Sequence, residues 1–314
     1  MKEPTTKSIK EALAAVAGEG AVRTQEPMNL HTTFRIGGPA DYFVEPCSAE
    51  ETAELIRVCR EYGVDAYIMG NGSNVLVSDA GYRGVIIRLG KAFGEIRTEG
   101  SRIRAQAGAL LSSVAAAALE AGLTGFEFAA GIPGTVGGAC LMNAGAYGGE
   151  MKQVLKSVRV LTEEGEERVF SVEEMDLSYR HSRFMEDGSV ILEAEIELRP
   201  GVKEEIRAVM DDLRSRRQEK QPLEFPSAGS TFRRPEGYFA GKLIMDEGFR
   251  GYARGGAQVS EKHCGFIINA GNATASDVAE LISEVRDRVL ASTGVELVPE
   301  IRFLGDFDQI PGAR

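Results

Sequence analysis

GFEFAAGIPGTVGGACLMNAGAYGGE, residues 125–150, has a composition that sets it apart from its surroundings. Eight of its 26 residues are glycine, at 125, 131, 134, 137, 138, 145, 148 and 149. It holds no Lys or Arg, and its only acids are Glu127 and Glu150. Glycine inside a helix costs about 1 kcal/mol relative to alanine, so no ordinary helix is expected here. Phe126, Phe128, Ile132, Val136, Leu141 and Met142 are too apolar for a disordered linker. The expectation is a buried backbone folded tightly on itself, whose amide groups need partners. Two answers fit: a phosphorylated or ring-shaped cofactor lying flat on the main chain, or a close-packed structural loop.

Upstream of this stretch, Leu110 to Ala121 reads as an alanine-rich helix closed by Gly122, and residues 95–107 as a hairpin around Glu99-Gly100. Further back, a buried strand from Asp65 to Met69 runs into GNGSN, Gly70 to Asn74, and the chain resumes as Val75-Leu76-Val77. A Rossmann loop must open a helix whose N-terminus faces the pyrophosphate; this one leads into another strand, so that reading fails. A phosphate-binding nest between strands and a plain hairpin turn both remain open. Gly84 to Leu89 is a further strand. Ser48 with Glu51 is a capping box for a helix to Tyr62, with Leu55, Ile56, Cys59 and Tyr62 on one face and Gly63 ending it. Gly37-Gly38-Pro39 is a turn between two strand-like runs, and Ser8 to Ala17 is a short helix stopped by Gly18 and Gly20.

Downstream, residues 154–170 form a hairpin around Glu164-Gly165, and Ser171 with Glu174 caps a turn that delivers SYRHSRF, residues 178–184. Val190 to Leu198 is a strand, and Pro200-Gly201 marks a boundary. Val202 to Glu219 is an amphipathic helix with Ile206, Val209, Met210 and Leu213 inward, and Tyr238 to Met245 reads as helical. Ala257 to Ser260, Gly265 to Asn269 and Val295 to Leu304 are strands. Ser276 caps a helix whose inner face is Val278, Leu281, Ile282, Val285 and Val289. Helices and hairpins alternate irregularly, which predicts an α+β fold rather than a doubly wound parallel sheet.

At 314 residues the chain has room for two or three domains. A net charge of -11 argues against nucleic-acid binding, which needs a basic face. Cys47, Cys59, Cys140 and Cys264 form no CxxC pair and no histidines cluster, so no metal site and a reducing, cytoplasmic location are expected. The N-terminus lacks a signal-peptide core, and no run approaches the ~18 apolar residues of a membrane span.

Three features carry candidate chemistry. Arg214, Arg216, Arg217, Lys220, Arg233 and Arg234 face only Glu219 and Glu224 within residues 214–234. That imbalance suits an anion site, and equally a solvated helix end. Ser230, in PSAGSTF, has small neighbours that leave its hydroxyl accessible. With no GxSxG elbow and only His31, His181 and His263 in the chain, a Ser-His-Asp hydrolase is disfavoured. A serine without a base can still donate a proton to a strongly basic carbanion. Arg180 and Glu300 are further polar residues in apolar or strand-like runs, although a strand glutamate after proline usually faces solvent.

The chain resembles the UDP-N-acetylenolpyruvoylglucosamine reductase family. The resemblance rests on NLHTTFRIGG (29–38), GNGSNVLV (70–77), AGIPGTVGGA (130–139), NAGAYG (143–148), YRHSRF (179–184), PSAGSTFRRP (226–235), AGKLIMDEGFRG (240–251), SEKHCGFIIN (260–269) and VPEIRFLG (298–305), in family order. It implies a two-part FAD-binding domain of the vanillyl-alcohol-oxidase (PCMH) type, residues 1–90 and 91–205, followed by a smaller α+β domain, 206–314, that binds the UDP-sugar. It implies non-covalent FAD and NADPH as hydride donor. Gly70, Asn71, Gly72, Ser73 and Asn74 would wrap the pyrophosphate. Gly131, Ile132, Pro133, Gly134, Thr135, Gly137, Gly138, Ala139 and Asn143 would lie along the cofactor. Arg180, Ser230 and Glu300 would be catalytic, with Tyr147, Arg217 and Lys220 on the substrate. No nucleic-acid or membrane partner is implied, and a monomer is favoured. Two departures stand out. The segment between Phe184 and Val190 is too short for the tyrosine-bearing loop of the longer subtype, and Met245 stands where an acid is common. An FAD-linked alcohol or sugar oxidase and a non-catalytic nucleotide-sugar binder are the competing readings; a colourless purified protein would favour the last.

Overall fold

The computed structural model describes residues 8–308. The chain folds as two compact units, one of residues 8–24, 42–71 and 84–216, the other of residues 25–41, 72–83 and 217–308. The architecture is α+β.

The first unit is built on a five-stranded antiparallel sheet. Its order is Glu167–Ser171, Leu155–Leu161, Val190–Glu197, Arg102–Gln106 and Ile96–Glu99. Period-two alternation sets its faces: Ile103 and Ala105 turn inward with Ala194 and Ile196, while Arg104 Nε donates to Glu195 Oε2 across the outer face at 2.9 Å. The helix Leu111–Glu120 buries Leu111, Val114, Ala115 and Ala118 in the same core. The glycine-rich stretch supplies Phe126, Phe128, Val136, Ala139 and Cys140 to that core as well.

A second cluster of this unit joins the helices Ile9–Ala17 and Ala49–Tyr62 through Leu13, Leu55, Val58 and Cys59, packed on Val85 and Ile87. Ser8 and Glu11 form the full reciprocal cap of the first helix. At the second, Ser48 Oγ accepts from the Glu51 amide, but the Glu51 carboxylate turns to the Cys47 amide at 2.8 Å. The expected box is therefore half formed at Ser48. Gly63 closes the helix with φ +62°, a value that suits glycine. The strand Ala66–Met69 pairs in parallel with residues 85–88.

In the second unit the helix Ala275–Thr293 buries all five expected positions, Val278, Leu281, Ile282, Val285 and Val289. Its cap is Thr274, not Ser276; Ser276 Oγ donates instead to Asp79 at 2.8 Å. The helix lies in one core with Phe249, Ala257, Val259 and Ile267, on the three-stranded antiparallel sheet of Ala253–Arg254, Ala257–Val259 and Ile267–Asn269. Val75–Val77 pairs in parallel with Arg302–Leu304.

Three further expectations change. The strand expected over 295–304 shrinks to Arg302–Leu304, because Pro299 has no amide to give a ladder. Arg23–Pro27 is a strand with no apolar alternation to announce it. The helix Lys203–Lys220 buries only Ile206; Met210 packs partly, and Val209, about 60° round the helix from Ile206, stays exposed. Among the described residues, no helix is long and apolar enough to cross a membrane.

Candidate active site

The strand Ala66–Met69 ends at Gly70 and Asn71, and both meet the glycine-rich stretch. Asn71 Nδ2 donates to the Pro133 carbonyl at 2.8 Å. A Cβ on Gly70 would collide with Thr135 Oγ1. That hydroxyl is buried and has no hydrogen-bond partner. A buried polar atom beside a glycine is a place where a ligand can supply the missing bond.

The stretch itself departs from expectation in two ways. It contains a six-residue helix, Val136–Leu141, in spite of Gly137 and Gly138. Gly137 is required there, since a Cβ would stand 2.9 Å from Ala107 Cβ. Its amides are also partly satisfied within the chain: Val136 N donates to Ala109 O and Gly137 N to Ala107 O, each at 2.9 Å. The segment is not buried throughout. Gly131, Pro133 and Gly138 are exposed, Ile132 and Gly134 half-buried, and Thr135 and Ala139 buried. One side closes the core, and the other offers neutral, side-chain-poor main chain. The donor set, an orphaned hydroxyl and open glycines, fits a flat cofactor.

The strands flanking GNGSN do not pair with each other: one pairs with residues 85–88 and the other with Arg302–Leu304. This rules out the plain hairpin. In the second unit, Gly72 adopts φ +61° and a Cβ would strike the His31 carbonyl. Ser73 is half-buried. Asn74 Nδ2 donates to Glu300 O at 3.1 Å, and Asn74 O accepts from Arg302 N at 2.9 Å.

Ser230 and Glu300 lie on adjoining segments of the second unit. Thr231 O accepts from Glu300 N at 2.8 Å, Arg233 N donates to Val298 O at 2.8 Å, and Phe232 bridges Pro299. On its other side Thr231 N donates to Gly265 O at 2.8 Å, while its hydroxyl accepts from Ile267 N at 3.0 Å. Ser230 and Glu300 are both half-buried. Glu300 is therefore not the solvent-facing strand residue its local sequence suggested. The strap that Thr231 makes was missed from sequence; its one signal is adjacency to Ser230.

Lys220 ends the helix Lys203–Lys220, exposed, with Arg217 half-buried one turn before it. Arg216 pairs with Asp212 at 2.8 Å along the helix, and Arg234 stacks 4.0 Å above the Phe239 ring. The basic run thus divides: Arg216 serves the helix, and Lys220 lies beyond that pair.

Three candidates in the first unit share an unusual backbone. Asn143, Tyr147 and Arg180 have φ of +42°, +53° and +54°. Side-chain-bearing residues rarely adopt such values, and those that do cluster at functional sites. Arg180 is half-buried and its guanidinium lies 5.4 Å from the Tyr179 ring centroid. Tyr147 is exposed. Asn143 is buried, with its side-chain amide engaged by Ser178, Glu150 and Lys152.

Burial pushes the Cys140 thiol up to about 12, so it is inert beside the glycines. All four cysteines are free, and no metal-binding cluster occurs among the described residues.

Comparison with known proteins shows the family. The family model of an FAD binding domain matches residues 40–171, and that of the UDP-N-acetylenolpyruvoylglucosamine reductase C-terminal domain matches residues 221–304. The UDP-N-acetylenolpyruvoylglucosamine reductase of Agathobacter rectalis is 51% identical, covering 98% of this chain and 100% of that protein. The chain belongs to the UDP-N-acetylenolpyruvoylglucosamine reductase family. The reductase of Clostridium perfringens is 52% identical over 91% of this chain and 94% of its own. The crystal structure of the reductase from Thermus caldophilus matches with a TM-score of 0.76 at 33% identity, covering 90% of this chain and 98% of that one. The protein is an FAD-dependent oxidoreductase, and its family places its reduction in peptidoglycan precursor synthesis.

Proposed function

We propose that the protein reduces the enolpyruvyl group of UDP-N-acetylglucosamine enolpyruvate to give UDP-N-acetylmuramate, in the cytoplasm, with NADPH as reductant. When bound, FAD would supply the hydride chemistry, from N5 to C3 of the enolpyruvyl group, with NADPH as the source of electrons. The chain's own residues manage the charge and the proton that follow.

Hydride arrival at C3 leaves negative charge on C2 and the adjoining carboxylate. Ser230 donates the proton to C2. Its accessible hydroxyl and its fixed backbone, strapped through Thr231, support that role. Arg180 pairs with the substrate carboxylate and draws off the developing charge. Glu300 serves as a neutral or hydrogen-bonded acid, since a bare carboxylate would repel an enolate. Lys220 and Arg217 bind the diphosphate, and Tyr147 the sugar. Gly70 to Asn74, Gly131 to Ala139 and the Thr135 hydroxyl hold the cofactor.

The observation that best supports this reading is the 2.8 Å bond from Glu300 N to Thr231 O, which ties the segments carrying residues 230 and 300 together in a chain of this family. Residues 183–189 make a compact turn, with Ser189 N on Asp187 Oδ1 at 3.0 Å, in place of a long substrate-covering loop. Met245 contacts Arg250 through its sulfur at 3.0 Å, a packing change that leaves the chemistry intact. The test is anaerobic stopped-flow reoxidation of the NADPH-reduced protein by the enolpyruvyl UDP-sugar. Rapid stoichiometric reoxidation is expected. Reoxidation by oxygen alone, with none by the sugar nucleotide, would assign an oxidase instead.

A further inference from the structure

We propose that Asn143, together with Lys152, is a positioning residue for Arg180. The inference rests on the reading of Arg180 as the partner of the substrate carboxylate, and assigns what holds it in place.

Arg180 sits at the corner of a two-residue turn. Ser178 and His181 close it by exchanging amide-to-carbonyl bonds of 3.2 and 3.3 Å. With φ +54°, Arg180 occupies a backbone region that a side-chain-bearing residue leaves unless its surroundings hold it there. Three bonds from one segment do so. Asn143 Nδ2 donates to Ser178 O at 3.1 Å. Lys152 Nζ donates to Leu177 O at 2.9 Å. Ser182 Oγ, fully buried, donates to Leu141 O at 2.7 Å. The residues on both sides of Tyr179 and Arg180 are thus pinned to residues 141–152.

Asn143 is the centre of this clamp. It is 2% exposed, and both its amide hydrogens and its carbonyl are used within the chain. Nδ2 also reaches Glu150 Oε2 at 3.1 Å, and Oδ1 accepts from Lys152 N at 2.9 Å. An amide so committed has no donor left for a cofactor. The resemblance implied that Asn143 lies along the cofactor; on this proposal its side chain serves the turn that carries Arg180. Lys152 completes the pair: Asn143 fixes its main chain, and its ammonium reaches the carbonyl one residue before Ser178.

The test is a double-mutant cycle on the full FAD-loaded protein: Asn143→Ala, Lys152→Ala, Arg180→Ala and the two doubles with Arg180→Ala. Anaerobic reoxidation by the enolpyruvyl UDP-sugar and hydrogen exchange at the His181 amide are both measured. A misplaced binding group costs on the order of 10²-fold, so Asn143→Ala should slow reoxidation by about 10- to 100-fold. Lys152→Ala, which loses one bond, should slow it by about 3- to 10-fold. Flavin reduction by NADPH should fall by less than reoxidation in each. Both doubles should match Arg180→Ala within about twofold, and His181 should exchange faster in both single variants. Effects that multiply in the doubles, or unchanged exchange at His181, would overturn the proposal. If Asn143→Ala does not fold, Lys152→Ala decides, and a wild-type reoxidation rate there overturns it. A wild-type rate in Arg180→Ala would overturn the role of Arg180 itself, and the clamp's purpose with it.

Discussion

The amide of Glu300 donates to the carbonyl of Thr231 at 2.8 Å, so the proposed proton donor at 230 and the acid at 300 are held by one main-chain bond. Thr231 makes this possible by facing the other way with its hydroxyl. Its Oγ1 accepts from Ile267 N at 3.0 Å, and both residues are 2% exposed. Thr231→Val keeps the shape and deletes the acceptor, leaving a buried amide unpaired. We expect a loss of about 1–3 kcal/mol, read as a lower urea midpoint at unchanged slope. Thr231→Ser should recover most of it.

Gly70, proposed to lie on the cofactor, stands against the Thr135 side chain. A Cβ there would strike the unpartnered Thr135 hydroxyl. Gly70→Ala should fold yet weaken FAD binding at least about tenfold, the cost of roughly 1.4 kcal/mol or more. Flavin absorbance retained after gel filtration is the measurement. Full retention would show that the space between Gly70 and Thr135 is not used by the cofactor.

His263 gives the fold a pH dependence with a defined sign. Burial holds its pKa below the ordinary 6.5, and its Nδ1 accepts from Gly265 N at 3.1 Å, which requires the unprotonated nitrogen. Well above pH ~6.5 the ring is neutral in both folded and unfolded chains and contributes no slope. As pH falls through that value the unfolded chain takes up a proton that the folded chain refuses. Stability is therefore lost toward the lower, folded pKa, and the slope ends below it. Melting temperatures at pH 7.5 and 5.5 should differ in that sense. His263→Asn, which keeps an acceptor near Nδ1 and cannot titrate, should shrink the difference.

Much of this architecture is legible in the sequence, and the reasons are local. The short helix from Ser8 to Ala17, Gly63 after the 14-residue helix Ala49–Tyr62, and the five inner positions of Ala275–Thr293 are each decided within a few residues. The glycine-rich stretch was legible as tightly folded backbone, either a cofactor bed or a close-packed loop, but not as a surface with one buried and one open side. That depends on Ala107 and Ala109, which take two of its amides. The Thr231 strap and the Asn143 clamp were not legible, because each joins residues far apart in the chain. Asn143 carries no local sign that its partner is Ser178. The strand expected over 295–304 failed because an alternating pattern does not reveal that Pro299 cannot donate.

Lys220 lies at the exposed end of its helix, clear of the Arg216–Asp212 pair. A cation that binds the diphosphate equally in ground and transition states affects substrate affinity and leaves the chemical step alone. Lys220→Ala should therefore raise KM by about tenfold, with kcat changed by less than about threefold. Steady-state kinetics check it, and a dominant fall in kcat would move Lys220 into the chemistry.

Ser230→Ala tests the central claim most directly, in single-turnover stopped flow without oxygen. The account predicts that NADPH still bleaches the flavin at close to the wild-type rate. Reoxidation by the enolpyruvyl UDP-sugar should then slow by about 10²-fold or more, the worth of a positioned proton donor. Reoxidation at the wild-type rate would contradict it, and the proton would have to come from another group.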